Sequence, residues 1–166
     1  MMKFDSLTLH WQENISVKKT PHKGLSLFAN KAFKRGNAIF LIGGPIVTKW
    51  ERTKYTVPIS FDLAIDPVAV DNVAKYLCHS CEPTAGIHQR TVVVALRDIS
   101  VGEEVAIDYA MIVDQYDEYI GKIITREDII CRCEAPTCRG EFGSYNKLTP
   151  ELKEKYQGFI SDYLIR

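Results

Sequence analysis

Short apolar runs separated by turn-forming residues dominate the first 110 positions of the chain. The runs are rich in β-branched and aromatic residues and are shorter than most helices, which is typical of strands. They cover residues 25–29, 38–42, 45–47, 91–96 and 105–109. Glycine with asparagine or serine at 34–37 and 100–103 indicates tight turns, because glycine and asparagine tolerate positive φ. The pattern therefore predicts a body made mainly of β-strands.

Two segments show helical spacing instead. The apolar positions within residues 71–77 suit one or two helical turns. Near the end of the chain, Thr149 can cap a helix that has Pro150 at its first position. The apolar stripe that follows at helical spacing consists of Leu152, Tyr156, Phe159 and Tyr163. We expect this stripe to be the face on which the tail docks against the body.

Composition narrows the class of protein. The chain has 166 residues, of which 46% are hydrophobic and 25% charged, as in a globular domain with a core of its own. Lysine plus arginine and aspartate plus glutamate both total 21, so no overall basic charge points to nucleic acid. No apolar run reaches the about 18 residues of a membrane span, and no signal peptide is visible. We expect a soluble intracellular protein of the cytoplasm or nucleus; an injected effector would look the same.

The five cysteines fall in two short segments of the sequence. Cys131, Cys133 and Cys138 lie within eight residues, too crowded for a disulfide framework in a chain without an export signal. A structural Zn²⁺ takes four nitrogen or sulfur ligands, so one ligand must come from elsewhere. Cys81 is the preferred donor, while the neighbouring Cys78 and His79 stay open on spacing alone.

Four segments, taken in order, resemble the motifs of one protein family. They are K-G-L-S-L-F-A at 23–29, I-D at 65–66 with D-N-V-A-K-Y-L-C-H-S-C-E-P at 71–83, R-D-I-S-V-G-E-E-V-A-I-D-Y at 97–109 and C-R-C-E-A-P-T-C-R-G at 131–140. Together they resemble the SET-domain protein lysine methyltransferases that carry a post-SET zinc segment. Three positions depart from the family motifs: Ser26 and Glu134 replace glycines, and Cys78 replaces an asparagine.

The resemblance implies a fold and a metal site. The fold is mainly β with few helices, a knot-like assembly of small curved sheets followed by a post-SET zinc segment and a C-terminal helix. The implied boundaries are 1–125 for the SET domain, 126–146 for the zinc segment and 147–166 for the helix. In this family the cysteine of the H-S-C tripeptide completes the zinc site. The implied ligands of a structural Zn²⁺ are therefore Cys81, Cys131, Cys133 and Cys138.

The resemblance also implies a cofactor, S-adenosylmethionine, and residues that contact it. At its methionine end the family motif places Lys23, Gly24 and Leu25. The adenine is expected to meet the backbone of Cys78 and His79, with Phe142 packed against it.

Tyr109 matches the catalytic tyrosine of the family and is expected to orient the amine and the methyl group. Ile107 lies two residues earlier, hence on the same face of the predicted strand, and is expected to line the lysine channel with it. Tyr116 and Tyr119 could line this channel too, but we expect them to cover the core.

The expected function is transfer of a methyl group from S-adenosylmethionine to the side-chain amine of a lysine in a protein or peptide. A histone is one candidate substrate, and neither nucleic acid nor a membrane is an expected partner. The alternative is a catalytically silent SET module that binds peptides or proteins, which the substitutions at Ser26 and Cys78 favour.

Overall fold

Three small antiparallel sheets form the body of the protein. The computed structural model describes residues 11–165. Within them the strands are β1 (Ile15–Thr20), β2 (Gly24–Ala29), β3 (Ala38–Leu41), β4 (Ile46–Thr48), β5 (Val57–Pro58), β6 (Leu63–Ile65), β7 (Ala85–His88), β8 (Val92–Ala95) and β9 (Glu104–Val105). Their orders are β1-β2-β9, β3-β8-β7 and β4-β6-β5. The predicted fold, mainly β in small sheets, is confirmed.

The helices are short. The α-helices are α1 (Trp11–Asn14) and α2 (Pro150–Lys155), and the 3₁₀ helices are Val73–Tyr76, Tyr109–Met111, Glu127–Ile129 and Tyr145–Lys147. The helical turn predicted within 71–77 is confirmed, and the Asn72 side chain caps it by accepting from the Ala74 amide at 3.0 Å. No helix among the described residues is long and apolar enough to cross a bilayer.

Both predicted turns are confirmed, and each contains a glycine in the left-handed region. Gly36 has a φ of 84° and Gly102 a φ of 81°. Asn37 donates its amide to the Lys34 carbonyl at 2.9 Å, and Glu103 donates to Ser100 at 3.1 Å. These turns return the chain to β3 and β9.

The tail is helical over a shorter stretch than the sequence predicts. Thr149 caps α2 as expected, but the helix predicted over 147–166 ends at Lys155. Gly158 has a φ of 83°, which a right-handed helix does not contain. The chain then runs along β7, where the Ile87 amide donates to the Phe159 carbonyl at 2.9 Å. Tyr156, Phe159 and Tyr163 are nevertheless buried, so the stripe is a docking face.

Two chain segments pass beside each other in the middle of the body, and this crossing positions the site. The Ile107 amide donates to the Cys78 carbonyl at 3.2 Å, and the Ser80 amide donates to the Ile107 carbonyl at 2.9 Å. His79 and Ile107 form the parallel bridge between the segments. The H-S-C and D-Y motifs, about 30 residues apart in the sequence, thereby become neighbours.

Candidate functional site

The strand predicted over 105–109 is wrong beyond its first residue. Strand β9 ends at Val105, and a 3₁₀ helix begins at Tyr109. Asp108 causes the break, because its carboxylate accepts from the Ala110 amide at 3.1 Å and so caps that helix. Ile107 and Tyr109 therefore do not share a strand face, although both line the same cleft.

The cleft beside the crossing has a volume of about 800 Å³, within the range of small-molecule sites. Most residues expected to contact the cofactor line it: Lys23, Gly24, Leu25, Cys78 and Phe142. His79 is 3% exposed and lies behind this wall. The structure therefore brings the predicted cofactor and channel residues together in one cleft, while their roles stay predictions.

Tyr109 is held at both its backbone and its hydroxyl. The hydroxyl donates to the Leu77 carbonyl at 2.8 Å, and the amide donates to His79 Nδ1 at 3.1 Å. Its ring packs against the Phe142 ring, with the centroids 5.0 Å apart. Burial raises the pKa of Tyr109 above its usual value, so the hydroxyl is protonated at neutral pH.

Asp108, which is fully buried, joins the Tyr109 segment to the cysteine-rich segment 131–140 and the tail. Arg139 donates through Nη2 to Asp108 Oδ2 at 2.6 Å, and the Tyr156 hydroxyl donates to the same oxygen at 3.2 Å. Arg139 directly follows Cys138. A carboxylate that caps one element and binds two others orders all three, so the position of Tyr109 depends on the end of the chain.

The four predicted metal ligands, Cys81, Cys131, Cys133 and Cys138, form one cluster. Their sulfur atoms all lie within 4.8 Å of one another, and Cys81 Sγ and Cys131 Sγ are 3.8 Å apart. Zn–S bonds of about 2.3 Å in a tetrahedron place sulfurs roughly 3.8 Å apart, so the donor set fits a structural Zn²⁺. Four thiolates this close repel one another, and a bound cation is what would keep all four deprotonated. The zinc assignment stays a prediction.

His79 connects this cluster to Tyr109. Since its Nδ1 accepts from the Tyr109 amide, its proton is on Nε2, which lies 3.3 Å from Cys81 Sγ. Burial lowers the pKa of His79 to about 4, so the ring is neutral at pH 7. The neutral His79 ring therefore lies between Cys81 of the cluster and Tyr109 and contacts both.

The entry turn carries a polar network around Glu104. Lys23 Nζ donates to Glu104 Oε1 at 2.6 Å, and the hydroxyl of the buried Ser26 donates to the same oxygen at 2.5 Å. Cys78 Sγ lies 3.4 Å from the Leu25 carbonyl. The residues that replace the family glycine and asparagine thus have defined partners: Ser26 is buried against Glu104, and Cys78 lines the cleft beside Leu25.

The cleft fits S-adenosylmethionine in size and in the character of its walls. Gly24 has a φ of 73°, and nothing lies within 4 Å of the position that a Cβ would take. Bare backbone at that point lets a ligand approach closely. The aromatic Phe142 and the half-buried thiol of Cys78 offer apolar surface nearby.

Some residues of the site escaped sequence reasoning. Tyr116 and Tyr119 were expected to cover the core; both line the cleft, and Tyr116 also packs partly against the core. Arg52 was not predicted at all, although it is 7% exposed and lines the cleft. It lies in the charged stretch 49–54, a composition typical of surface segments, so no apolar spacing predicts its burial.

Comparison with known proteins decides the family. The family model of the SET domain matches residues 24–110, just over half of the chain. The chain belongs to the SET-domain family. The match includes the entry turn, the H-S-C segment and Tyr109 of this SET domain, whereas the cysteine cluster lies mostly beyond it.

Relatives and a solved structure agree with this family. Over 99 residues, 55% of the chain, it is 31% identical to the histone-lysine N-methyltransferase ATXR3 of Arabidopsis thaliana. Over 147 residues, 76% of the chain, it is 29% identical to the histone-lysine N-methyltransferase Set2 of Drosophila melanogaster. The structure of KRYPTONITE with mCHH DNA, an H3(1-15) peptide and SAH has a TM-score of 0.62 and 24% identity; it covers 78% of this chain and 29% of that chain.

The aligned region is a small part of these relatives. It makes up 4% of the Arabidopsis protein and 6% of the Drosophila protein. The shared SET domain supports lysine methylation at the level of the family, and the structural likeness shows the fold.

Proposed function

We propose that this SET domain transfers a methyl group from S-adenosylmethionine to the side-chain amine of a lysine in a protein or peptide, with a histone as one candidate. The position of Tyr109 carries the proposal. Its hydroxyl is anchored on the Leu77 carbonyl within a cleft of suitable size. The relatives are named histone-lysine N-methyltransferases, and a structural neighbour was solved with an H3 peptide and SAH, which supports the same chemistry.

The chemistry is an in-line displacement that requires alignment more than acid or base strength. When bound, S-adenosylmethionine supplies the electrophilic methyl group. A free lysine has a pKa of about 10.4, so the attacking amine must lose its proton, and a partly apolar channel lowers that pKa by desolvation. Ile107 and Tyr116 supply apolar wall beside Tyr109.

Tyr109 has a specific role in this alignment. Because its hydroxyl hydrogen is used on the Leu77 carbonyl, the remaining lone pairs of its oxygen are free to accept a hydrogen from the amine or from the polarised methyl group. A hydroxyl dipole that is already oriented before the reaction stabilises the transition state without having to reorganise. Tyr109 therefore steers the amine instead of removing its proton.

The cysteine cluster contributes order to this mechanism. Cys81, Cys131, Cys133 and Cys138 would hold a structural Zn²⁺ that takes no part in methyl transfer. Its effect would be to fix Arg139 against Asp108 and Phe142 against Tyr109. The boundaries at 125 and 146, and a location in the nucleus or cytoplasm, stay predictions.

The test is transfer of labelled methyl from S-adenosylmethionine to a panel of histones and to whole-cell protein extract. We expect labelled lysine, with the rate falling about a hundredfold or more in Tyr109→Phe while S-adenosylhomocysteine binding is kept. Tyr145→Phe, outside the cleft, is the matched control and should keep the full rate. Full turnover by Tyr109→Phe would contradict the role of Tyr109.

The second candidate is a silent module that binds peptides or proteins. The replacements of family residues at Cys78, which lines the cleft, and at Ser26, which is buried against Glu104, favour it. Peptide binding without any binding of S-adenosylmethionine or S-adenosylhomocysteine, measured by calorimetry, would establish this function in place of the enzyme.

A further inference from the structure

Arg52 lies under the cleft and organises the loop between β5 and β6. It is 7% exposed, and its Nη2 donates to three main-chain carbonyls of that loop and strand. These are Ser60 at 2.9 Å, Phe61 at 3.1 Å and Leu63 at 3.1 Å. The guanidinium is therefore held in one position by the backbone and does not sample solvent.

Asp114 and Glu118 act on Tyr119 together with Arg52, but neither carboxylate contacts the Arg52 guanidinium. Among residues 11–165 no carboxylate forms an ion pair with it. Its Nε is buried and has no hydrogen-bond partner. A buried cation without an anion is costly, so an anion placed close to it would be strongly favoured.

Tyr119 lies between the charge of Arg52 and the cleft. Its hydroxyl oxygen accepts from Arg52 Nη1, and a guanidinium can only donate. The hydroxyl hydrogen of Tyr119 is thus left over, and no described residue accepts it. Burial raises the pKa of Tyr119, an effect that the neighbouring Arg52 opposes. Tyr119 lines the cleft with a hydrogen to donate and a cation behind it.

The other charged residues that line the cleft form no ion pair with Arg52. Lys23 and Lys75 are paired with Glu104 and Asp71 respectively. Lys54 lines the cleft without an ion pair among the described residues, and its Nζ lies 5.4 Å from the Tyr55 ring centroid. Among the lining residues Asp128 is the one carboxylate, while Glu118 and Asp114 act on Tyr119 from outside the lining.

We propose that Arg52 and Tyr119 form a subsite for the carboxylate of an aspartate or glutamate that flanks the target lysine in the substrate. The Tyr119 hydroxyl donates to the carboxylate, and the guanidinium behind it supplies the charge that makes this hydrogen bond strong. The inference rests on the proposed function, since it names the class of lysine that the enzyme selects. It predicts a preference for acidic surroundings of that lysine.

Degenerate peptides with a central lysine test this inference. At each flanking position one pool has glutamate fixed and its matched pool has glutamine, and both methylation and binding by fluorescence anisotropy are measured. At one or two positions the glutamate pool is expected to be favoured about tenfold, the size expected for a charge-assisted hydrogen bond. The preference should shrink as salt screens the charge.

Variants are scored by the ratio of glutamate to glutamine and not by the absolute rate. Tyr119→Phe is the first variant because it removes only the hydroxyl, and its ratio should approach one. Arg52→Lys is the second, because it keeps a charge but loses the fixed geometry, and its ratio should fall in part. Tyr145→Phe is the matched control and should keep the wild-type ratio.

The outcomes separate this inference from the proposed function. Methylation without any glutamate preference would overturn the inference and leave the function standing. Binding that favours glutamate and depends on Tyr119, without methylation, would support the subsite and overturn the function. If Tyr119→Phe instead weakened binding of S-adenosylhomocysteine with no change in the ratio, the pair would serve the carboxylate of the cofactor and the inference would be wrong.

Discussion

Two segments face the same cleft and are held in opposite ways. Residues 108–111 have a fully buried Asp108, Ala110 and Met111, and they are held by partners from several distant parts of the chain. The sheet of β4, β5 and β6 has strands of two or three residues, and the sheet and the turn after β4 leave large apolar side chains in solvent. Ile46 is 63% exposed and Trp50 77%.

This difference indicates that residues 108–111 and the β4-β6-β5 sheet have different roles. The proposed methyl transfer needs the Tyr109 oxygen within a fraction of an ångström of its proper place, and several buried contacts hold residues 108–111 in position. Arg52 holds the loop of the β4-β6-β5 sheet, and Val57, Ala64 and Ile65 anchor its strands in the core, whereas its outer face lies in solvent and can change without moving the Tyr109 segment. We expect substrate choice to reside in that sheet and chemistry in residues 108–111.

The largest effect is expected from the cysteine cluster. Cys131→Ser should reduce bound zinc from about one equivalent per chain to near zero and should cause the largest loss of stability in this set, since metal binding contributes directly to folding. Metal analysis of the purified protein and urea unfolding measure both. Cys78→Ser is the matched control, because Cys78 is not in the cluster, and it should keep its zinc. Unchanged zinc in Cys131→Ser would refute the ligand assignment.

A smaller effect is expected from the ion pair that holds residues 108–111. Arg139→Gln should lower the free energy of unfolding by about 2 kcal/mol, below the cost of breaking a fully buried pair because the Arg139 side chain is 27% exposed. The control is Arg90→Gln, whose pair with Asp162 is 47% and 55% exposed and should cost less than about 0.5 kcal/mol. Equal losses in the two variants would show that burial of Asp108 adds no stability to its pair with Arg139.

The smallest effect is expected at Trp50, in the turn that follows β4. Trp50→Ser should change the free energy of unfolding by no more than about 0.5 kcal/mol, because the side chain is largely in solvent. Tyr156→Phe provides the contrast, since it deletes a buried hydrogen bond to Asp108 and should cost about 1 kcal/mol. A larger loss from Trp50→Ser than from Tyr156→Phe would contradict the comparison.

Local chemistry explains which predictions succeeded. Turns at Gly36 and Gly102, the cap at Thr149 and the 3₁₀ helix at 73–76 depend on residues close in sequence, so their patterns identify them. The tail shows the limit of this reasoning. Its apolar spacing suggested a long helix, but Gly158 and the hydrogen bond to β7 ended the helix early while the same side chains were still buried.

The sequence by itself determined strands β2, β3, β4 and β8, the turns and the likeness of the motifs to the SET domain, because these are properties of neighbouring residues. Tertiary structure decided that Asp108 would bind Arg139, and that Tyr119 would face the cleft with Arg52 behind it. Those contacts join residues 31 and 67 positions apart. Their energies come from burial and charge in the folded state, which no local pattern records.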